Sequence, residues 1–368
     1  MQQFEVFKYM EKYGYENVCL CQDEAVDFKA VIAIHSTALG PAAGGTRMWK
    51  YDSEMDAVFD AMRLARGMTY KYAAAGVNLG GGKAVIIGDP KRRDREVTFR
   101  TLGKFINRLG GKYYTGEDVG TTLDDMEYMY METPYMITLP EYLGGIGPIS
   151  PMTAFGVIQA MRASAKEVFG SDDLKGKRVA VQGVGSVGSS VVAQLLELGA
   201  GVLVSDIEES RVNDIAQRFE IREIIPPDAI YDVDCDVFCP CALGAIINDD
   251  TIPRLRCKIV CGSANNQLKE ERHGDMLQQR GIFYAPDYVA NGGGAIYDSD
   301  RLFAGGLVNK ERARAKVARI YERMEELIKI AKRDKVPSYR AADIMAEERI
   351  ASVGKVKRHW ETMRPFDN

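Results

Sequence analysis

Two α/β domains are what this sequence predicts, and three observations carry the prediction. The chain has 368 residues, a length that suits about two domains at ~150 residues each. Its later half alternates short apolar runs with helical periodicity, the pattern of a parallel sheet covered by helices. Its first half mixes strand-like and helix-like segments, and a turn-rich stretch, YLGGIGPISPM at 142–152, marks the joint between the two. At 46% hydrophobic and 27% charged residues, the composition is that of an ordinary soluble globular protein. A formal net charge of −4 leaves no overall basic footprint for a nucleic-acid partner.

Taken from the N-terminus, MQQFEVFKYMEKYGYENVCLC has neither an apolar core nor a small-residue cleavage site, so no signal peptide is expected. FKAVIAIHST reads as a strand. SEMDAVFDAMRLARGMTYKYAAAG reads as a helix, with Met55, Val58, Met62, Ala65 and Met68 on one apolar face. Ser53, followed by Glu54, Asp56 and Asp60, suits its N-terminus. NLGGGKAVIIG then leads an apolar strand, with Lys83 at its start after Gly80–Gly82. Gly-Gly-Gly-Lys invites a phosphate cradle, but the P-loop spacing is absent and Ala84 follows the lysine. A P-loop also places its strand before the glycines, not after.

Beyond the joint come a helix (TAFGVIQAMRASAKEVFG), the strand RVAVQ, a helix (SVVAQLLELG) and the strand GVLVSDI, then β-like runs at VFCP, KIVCGSA and IFYAPDYV. The segment from Lys310 onward reads as a long amphipathic helix and a shorter helical tail, which leave the second domain and pack back across the joint. The predicted limits are 1–149 for the first domain, joined by helices at about 335–368, and 150–334 for the second.

Gly183, Gly185 and Gly188 form G-x-G-x-x-G directly after a strand and at the opening of a helix. Asp206 ends the next strand 18 positions beyond Gly188, near the spacing of about 20 for a partner of a ribose 2′-hydroxyl. The glycines give a tight turn and let pyrophosphate approach the helix N-terminus. An acidic Asp206 repels a 2′-phosphate, so the expected fold is a Rossmann domain and the expected cofactor is NAD. The uncharged run Val179–Leu196 is about as long as a membrane span, but these glycines account for it, and no membrane segment is expected.

The seven cysteines are an odd number without sign of secretion, which points to reduced thiols and a cytoplasmic protein. Cys235, Cys239 and Cys241 in DCDVFCPCA invite a metal reading. No second ligand cluster lies close in sequence, so no metal is expected.

A lysine at the start of an apolar strand loses hydration, which depresses its pKa and makes a neutral amine available. That singles out Lys83, with Lys71 and Asp118 near it in sequence. Here the chain resembles the Glu/Leu/Phe/Val dehydrogenase family. The segments carrying the likeness include LGPAAGGTRMW (39–49), RLARGMTYKYAAAGVNLGGGKAVIIGDP (63–90), TGEDVGTTLDDM (115–126) and PCALGAIIND (240–249). GSANNQLKEERHGD (262–275), YAPDYVANGGG (284–294) and AADIMAEERI (341–350) extend it nearly end to end.

The resemblance implies two domains closing on the reactants and NAD-dependent oxidative deamination of an L-amino acid to a 2-oxo acid and ammonia. Lys71 would bind the substrate carboxylate, with Gly44, Gly45 and Met68 close by. Lys83 would be the general acid/base acting through the attacking water, and Asp118 would exchange protons with the amino nitrogen. Asn266 would hold substrate, and Thr153 and Asn291 would orient the nicotinamide. Gly183, Gly185, Ser186, Val187, Gly188, Asp206, Ile207, Cys241, Ala242, Ala264 and Asn266 would line the cofactor site. Homo-oligomers, as dimers or octamers, are implied through the first domain.

The side-chain pocket departs from the family. Its aliphatic wall positions become Ala43, Gly116, Ala295 and Asp298. A carboxylate there is costly unless paired, so Asp298 either reads an aromatic, polar or cationic substrate, turns away, or pairs with Arg301. Two other classes compete. A hydroxy-acid dehydrogenase would need a catalytic histidine, and His35, in a strand pattern, His273, in a charged loop, and His359, near the C-terminus, lack such a setting. A non-catalytic NAD sensor has no need to keep Lys71, Lys83 and Asp118 together.

Overall fold

Alternation of side chains along buried strands, with helices on either face, organises the first part of the protein in the computed structural model, which describes residues 4–356. Packing divides the described chain into two units. The first holds residues 4–147, 298–310 and 346–356, and the second holds 148–297 and 311–345. The first break falls inside the turn-rich stretch at 142–152. Residues 298–310, expected in the nucleotide domain, pack with the first unit, and 335–345 pack with the second. His359 and the rest of the expected C-terminal tail lie outside the described residues.

The first unit is built on β1 (Asn17–Asp23), β2 (Phe28–Ser36), β3 (Ala42–Ala43), β4 (Thr46–Trp49), β5 (Gly80–Ile87) and β6 (Tyr113–Tyr114), in the order β1-β2-β5-β3-β6 with β4 also on β5. β1, β2 and β5 are antiparallel neighbours, whereas β3 and β4 run parallel to β5. Ile32, Ile34, Ala84 and Ile86 pack on one face with Phe99, Leu102 and Met126. Val31, Ala33 and Val85 turn to the other face and meet the Glu54–Ala74 helix through Ala57, Val58, Met62 and Ala65. A period of two with both faces covered explains why these strands read as continuous apolar runs.

Ser53 caps that helix by accepting from the Asp56 N–H. Its buried side is Ala57, Val58, Ala61, Met62, Ala65, Thr69 and Tyr72, whereas Met55 is exposed. Val58, Met62 and Ala65 of the expected apolar face are on the buried side, and small alanines let the helix lie close on the sheet.

The glycine triplet belongs to β5 itself. A Cβ on Gly81 would lie 2.2 Å from the Thr69 backbone nitrogen, and one on Gly80 would lie 1.9 Å from the Ser36 carbonyl oxygen. One on Gly82 would lie 2.7 Å from the Tyr113 ring. The glycines let β5 press against its own neighbours, and Lys83 follows in the middle of the strand.

The second unit is a five-stranded sheet of β7 (Arg178–Gln182), β8 (Gly201–Ser205), β9 (Val237–Pro240), β10 (Ile259–Val260) and β11 (Phe283–Tyr284). Its order is β11-β10-β9-β7-β8, and every pairing is parallel. The order reverses between β7 and β9, the point where such sheets take ligands at their carboxyl ends. The Ser150–Phe169 and Ser186–Glu197 helices belong to this unit. The expected run from Lys310 is two helices, Lys310–Ala318 and Ile320–Asp334. Among the described residues, no helix is long and apolar enough to cross a membrane.

Candidate active site

Lys83 sits in β5 in register with Ala33, and alternation sends it to the face of Gly81 and Val85, under the Glu54–Ala74 helix. It is 4% exposed. Its Nζ lies 3.1 Å from Asp118 Oδ2. Asp118 stands in the loop after β6, where its N–H donates to Thr121 Oγ1 and Thr121 donates back to its carbonyl. Sequence reasoning missed the third member. Arg47 Nε donates to the same Asp118 oxygen at 3.0 Å, while its Nη1 reaches Asp60 Oδ2 at 3.0 Å. Tyr51 and Arg63 also donate to Asp60. An arginine in the quoted segment GGTRMW, on a short buried strand, was the available signal.

Two cations therefore share one carboxylate oxygen. Burial lowers the Lys83 pKa below the usual lysine range, and Arg47 adds to the effect against the pull of Asp118. Burial alone would raise the Asp118 carboxyl, but Lys83 and Arg47 outweigh it and hold the group ionised. The arrangement supplies an amine that gives up its proton more readily than an exposed lysine.

The other residues expected in this half gather around the pair. A Cβ on Gly44 would meet the Gly82 carbonyl and the Met68 side chain, and one on Gly45 would meet the Glu117 carbonyl and the Asp118 Cβ. Lys71, half-buried in the last turn of the same helix, stands three residues from Met68 and so shares its face. Ala43 is fully buried in β3.

Asp298 packs in this unit as well. It is 5% exposed and accepts a hydrogen bond from Thr138 Oγ1 at 2.5 Å. A Cβ on Gly116 would press on that same Thr138 hydroxyl, which brings Gly116 and Asp298 together. Burial pushes the Asp298 carboxyl up to about 6, against the Thr138 bond and the field of Arg301. The Arg301 guanidinium donates to the carbonyls of Ile137 and Met136. Thr138, absent from the sequence reading, is thus the hydrogen-bonding partner of Asp298.

In the second unit the glycine turn follows β7. Gly183 has φ +91°, and a Cβ there would strike Ala242. Gly188 lies so close to the Gly183 carbonyl that a Cβ would be 1.9 Å away, while Gly185 faces open space. Ser186 and Val187 begin the Ser186–Glu197 helix. Asp206 ties the turn down by accepting from the Val184 N–H at 2.8 Å, and its other oxygen accepts from Glu208 N. Ile207 beside it is 81% exposed.

Asn291 is buried and donates to the Ser263 carbonyl and Asn265 Oδ1, while its own Oδ1 has no hydrogen-bond partner. A buried orphan acceptor suits a carboxamide N–H. Thr153, Ala264 and Asn266 are in the same unit, Asn266 exposed with φ +51°. Ala295 is half-buried in the Gly293–Ser299 helix, three residues before Asp298. These residues fit a dinucleotide.

The histidines have structural partners. His35 lies between Thr69 Oγ1 and the Tyr13 carbonyl, and burial lowers its pKa to about 4. His273 is fully buried in the first turn of the Arg272–Gln279 helix, not in a loop. Among the described residues, no group of three or more His, Cys, Asp or Glu is placed to hold a metal ion.

Comparison with known proteins decides the family. The model of the Glu/Leu/Phe/Val dehydrogenase dimerisation domain matches residues 17–135. The Glutamate/Leucine/Phenylalanine/Valine dehydrogenase model matches residues 144–210 and 203–358. The chain belongs to the Glu/Leu/Phe/Val dehydrogenase family. The leucine dehydrogenase of Thermoactinomyces intermedius is 55% identical over 353 residues, 96% of this chain and 95% of that one. The phenylalanine dehydrogenase of Lysinibacillus sphaericus is 46% identical over 92% of this chain and 89% of its own. The crystal structure of L-tryptophan dehydrogenase from Nostoc punctiforme superposes with a TM-score of 0.83 at 38% identity, covering 95% of this chain and 99% of that one. With this membership the chain is an NAD-dependent amino acid dehydrogenase, catalysing reversible oxidative deamination.

Proposed function

We propose that the protein deaminates an aliphatic L-amino acid of the leucine type, with Lys83 as the general acid/base. The observation that carries the residue roles is the buried Lys83 Nζ, 3.1 Å from an Asp118 oxygen that Arg47 also holds. NAD, when bound, accepts the hydride that leaves the substrate Cα. Lys71 and the Gly44–Gly45 backbone hold the carboxylate, so that Cα is fixed relative to the proton-transfer groups. Neutral Lys83 takes a proton from water as that water adds to the iminium carbon, and Asp118 exchanges protons with the departing nitrogen. Burial of Lys83 lowers its pKa and so raises the share of neutral amine, which is what its base role requires. The glycine turn, Asp206 and Ile207 hold the cofactor, with Thr153 and Asn291 at its nicotinamide.

Relatives at 55% identity that act on leucine support the aliphatic substrate. Asp298 favours a second reading, a side chain bearing a hydrogen-bond donor, because its carboxyl stands beside Thr138 and Gly116. NAD reduction with leucine, valine, phenylalanine, tryptophan and lysine separates the two. A wide lead for leucine and valine supports the first, and a lead for lysine overturns it. A homo-oligomer assembled through the first unit and a cytoplasmic location complete the proposal, the former resting on the dimerisation domain that residues 17–135 match.

A further inference from the structure

The acid–base chemistry leaves one cluster of nucleophiles unused. Cys239 is the third residue of β9 and Cys241 follows its end, with Pro240 between them. Their sulfurs lie 3.7 Å apart. Cys239 is fully buried and Cys241 is half-buried. The Cys241 N–H donates to the Gln182 carbonyl at 2.7 Å, which pins it beside the end of β7 where the glycine turn begins. A Cβ on Gly188 would lie 3.3 Å from the Cys241 Cβ, and Ala242 packs under Gly183. The pair therefore stands at the reversal of strand order, directly under the turn assigned to the dinucleotide.

We propose that Cys239 and Cys241 form a reversible disulfide on exposure to a peroxide, and that the bond weakens NAD binding. A disulfide needs its sulfurs about 2 Å apart, so the bond forms by side-chain rotation and a small pull on Cys241, without unfolding β9. Hydrogen bonds from the Cys239 thiol and then from Ser263 lower the Cys241 pKa, which makes Cys241 the attacking thiolate, while the Cys239 thiol is raised and resolves.

The Cys241 thiolate attacks one peroxide oxygen, the O–O bond breaks, and hydroxide leaves to become water. The resulting sulfenic acid is attacked by the Cys239 sulfur, the S–O bond breaks, and a second water departs. Two thiols lose two electrons and two protons, and one peroxide becomes two waters. The closed bond draws Cys241 toward β9 and away from Gly188, which disturbs the backbone that pyrophosphate must approach. A ring closed between residues two apart is strained and open to thiol reductants, as a switch requires.

The effect on NAD rests on the proposed cofactor role of the glycine turn, but bond formation does not. The test treats the whole protein with hydrogen peroxide, alkylates the remaining thiols and maps peptides by mass, alongside NADH binding by fluorescence. We expect Cys239 and Cys241 to escape alkylation together with a loss of two hydrogens. NADH affinity falls at least tenfold, and dithiothreitol restores it. Bound NADH slows the oxidation. Cys239→Ala binds NADH as the parent does and keeps that affinity through peroxide treatment. Overturning results are two thiols that stay alkylatable, a bond to Cys261 in place of this pair, or an unchanged NADH affinity once the bond has formed. If the reduced protein fails to bind NADH at all, the cofactor assignment fails, whatever the mass map shows.

Discussion

Arg47→Gln is the perturbation that most sharply separates a proton-transfer role for Lys83 from a merely structural one. Arg47 and Lys83 hold the same Asp118 oxygen at 3.0 and 3.1 Å, so the two nitrogens can be at most about 6 Å apart. At an effective dielectric near 20 their repulsion is about 3 kcal/mol. The Arg47 side chain is 22% exposed, and screening reduces this to roughly 1.5 kcal/mol, close to a factor of ten in protonation equilibrium. Removing the guanidinium raises the Lys83 pKa, because Arg47 lowers it in the parent. Asp118, freed of one partner, pairs more fully with Lys83 and acts in the same direction. Less neutral amine is then present at a given pH. The expected result is about tenfold lower kcat/KM for deamination at neutral pH, regained as pH rises, with the acid limb of the profile moved alkaline. Asp60→Asn disturbs the same framework with the opposite sign, because the Asp60 carboxylate raises the Lys83 pKa in the parent, so its limb moves acid. An unmoved limb in Arg47→Gln, or a loss that high pH does not recover, would refute the reasoning.

Three further outcomes follow from the same geometry. His35 has its pKa lowered to about 4 by burial, so the unfolded chain binds the extra proton first as pH falls below about 6.5. About 3 kcal/mol of stability is fully present above that pH and is lost on the way down to 4, and His35→Gln should flatten this acid limb in denaturant titrations. Gly81→Ala places a methyl 2.2 Å from the Thr69 nitrogen, and the overpacking should cost about 3 kcal/mol, read as a lower thermal midpoint. Asp298→Val should raise the leucine-to-lysine ratio of kcat/KM by about tenfold. An unchanged ratio would place Asp298 outside the side-chain pocket.

The Rossmann half was legible because its signal is local: glycines at fixed offsets, a strand before, a helix after and an acid at the end of the next strand. Lys83 was legible for a similar reason, a cation on a strand whose neighbours are all apolar. Arg47 was harder to see. Its role depends on β4 lying parallel to β5 and on the loop after β6 folding back, pairings that no short window of sequence contains. The same holds for Thr138, which meets Asp298 across 160 residues. Three glycines in a row invite a phosphate cradle, whereas here each one clears a backbone or ring from another part of the same unit. Small residues report a close approach without naming what approaches.

The proposed deamination depends on Lys83 as the proton-transfer group. Lys83→Ala should lower kcat for NAD-dependent deamination by roughly 10²–10⁴, while NADH binding stays at the parent value. Turnover within a factor of a few of the parent, with its pH profile intact, would contradict it.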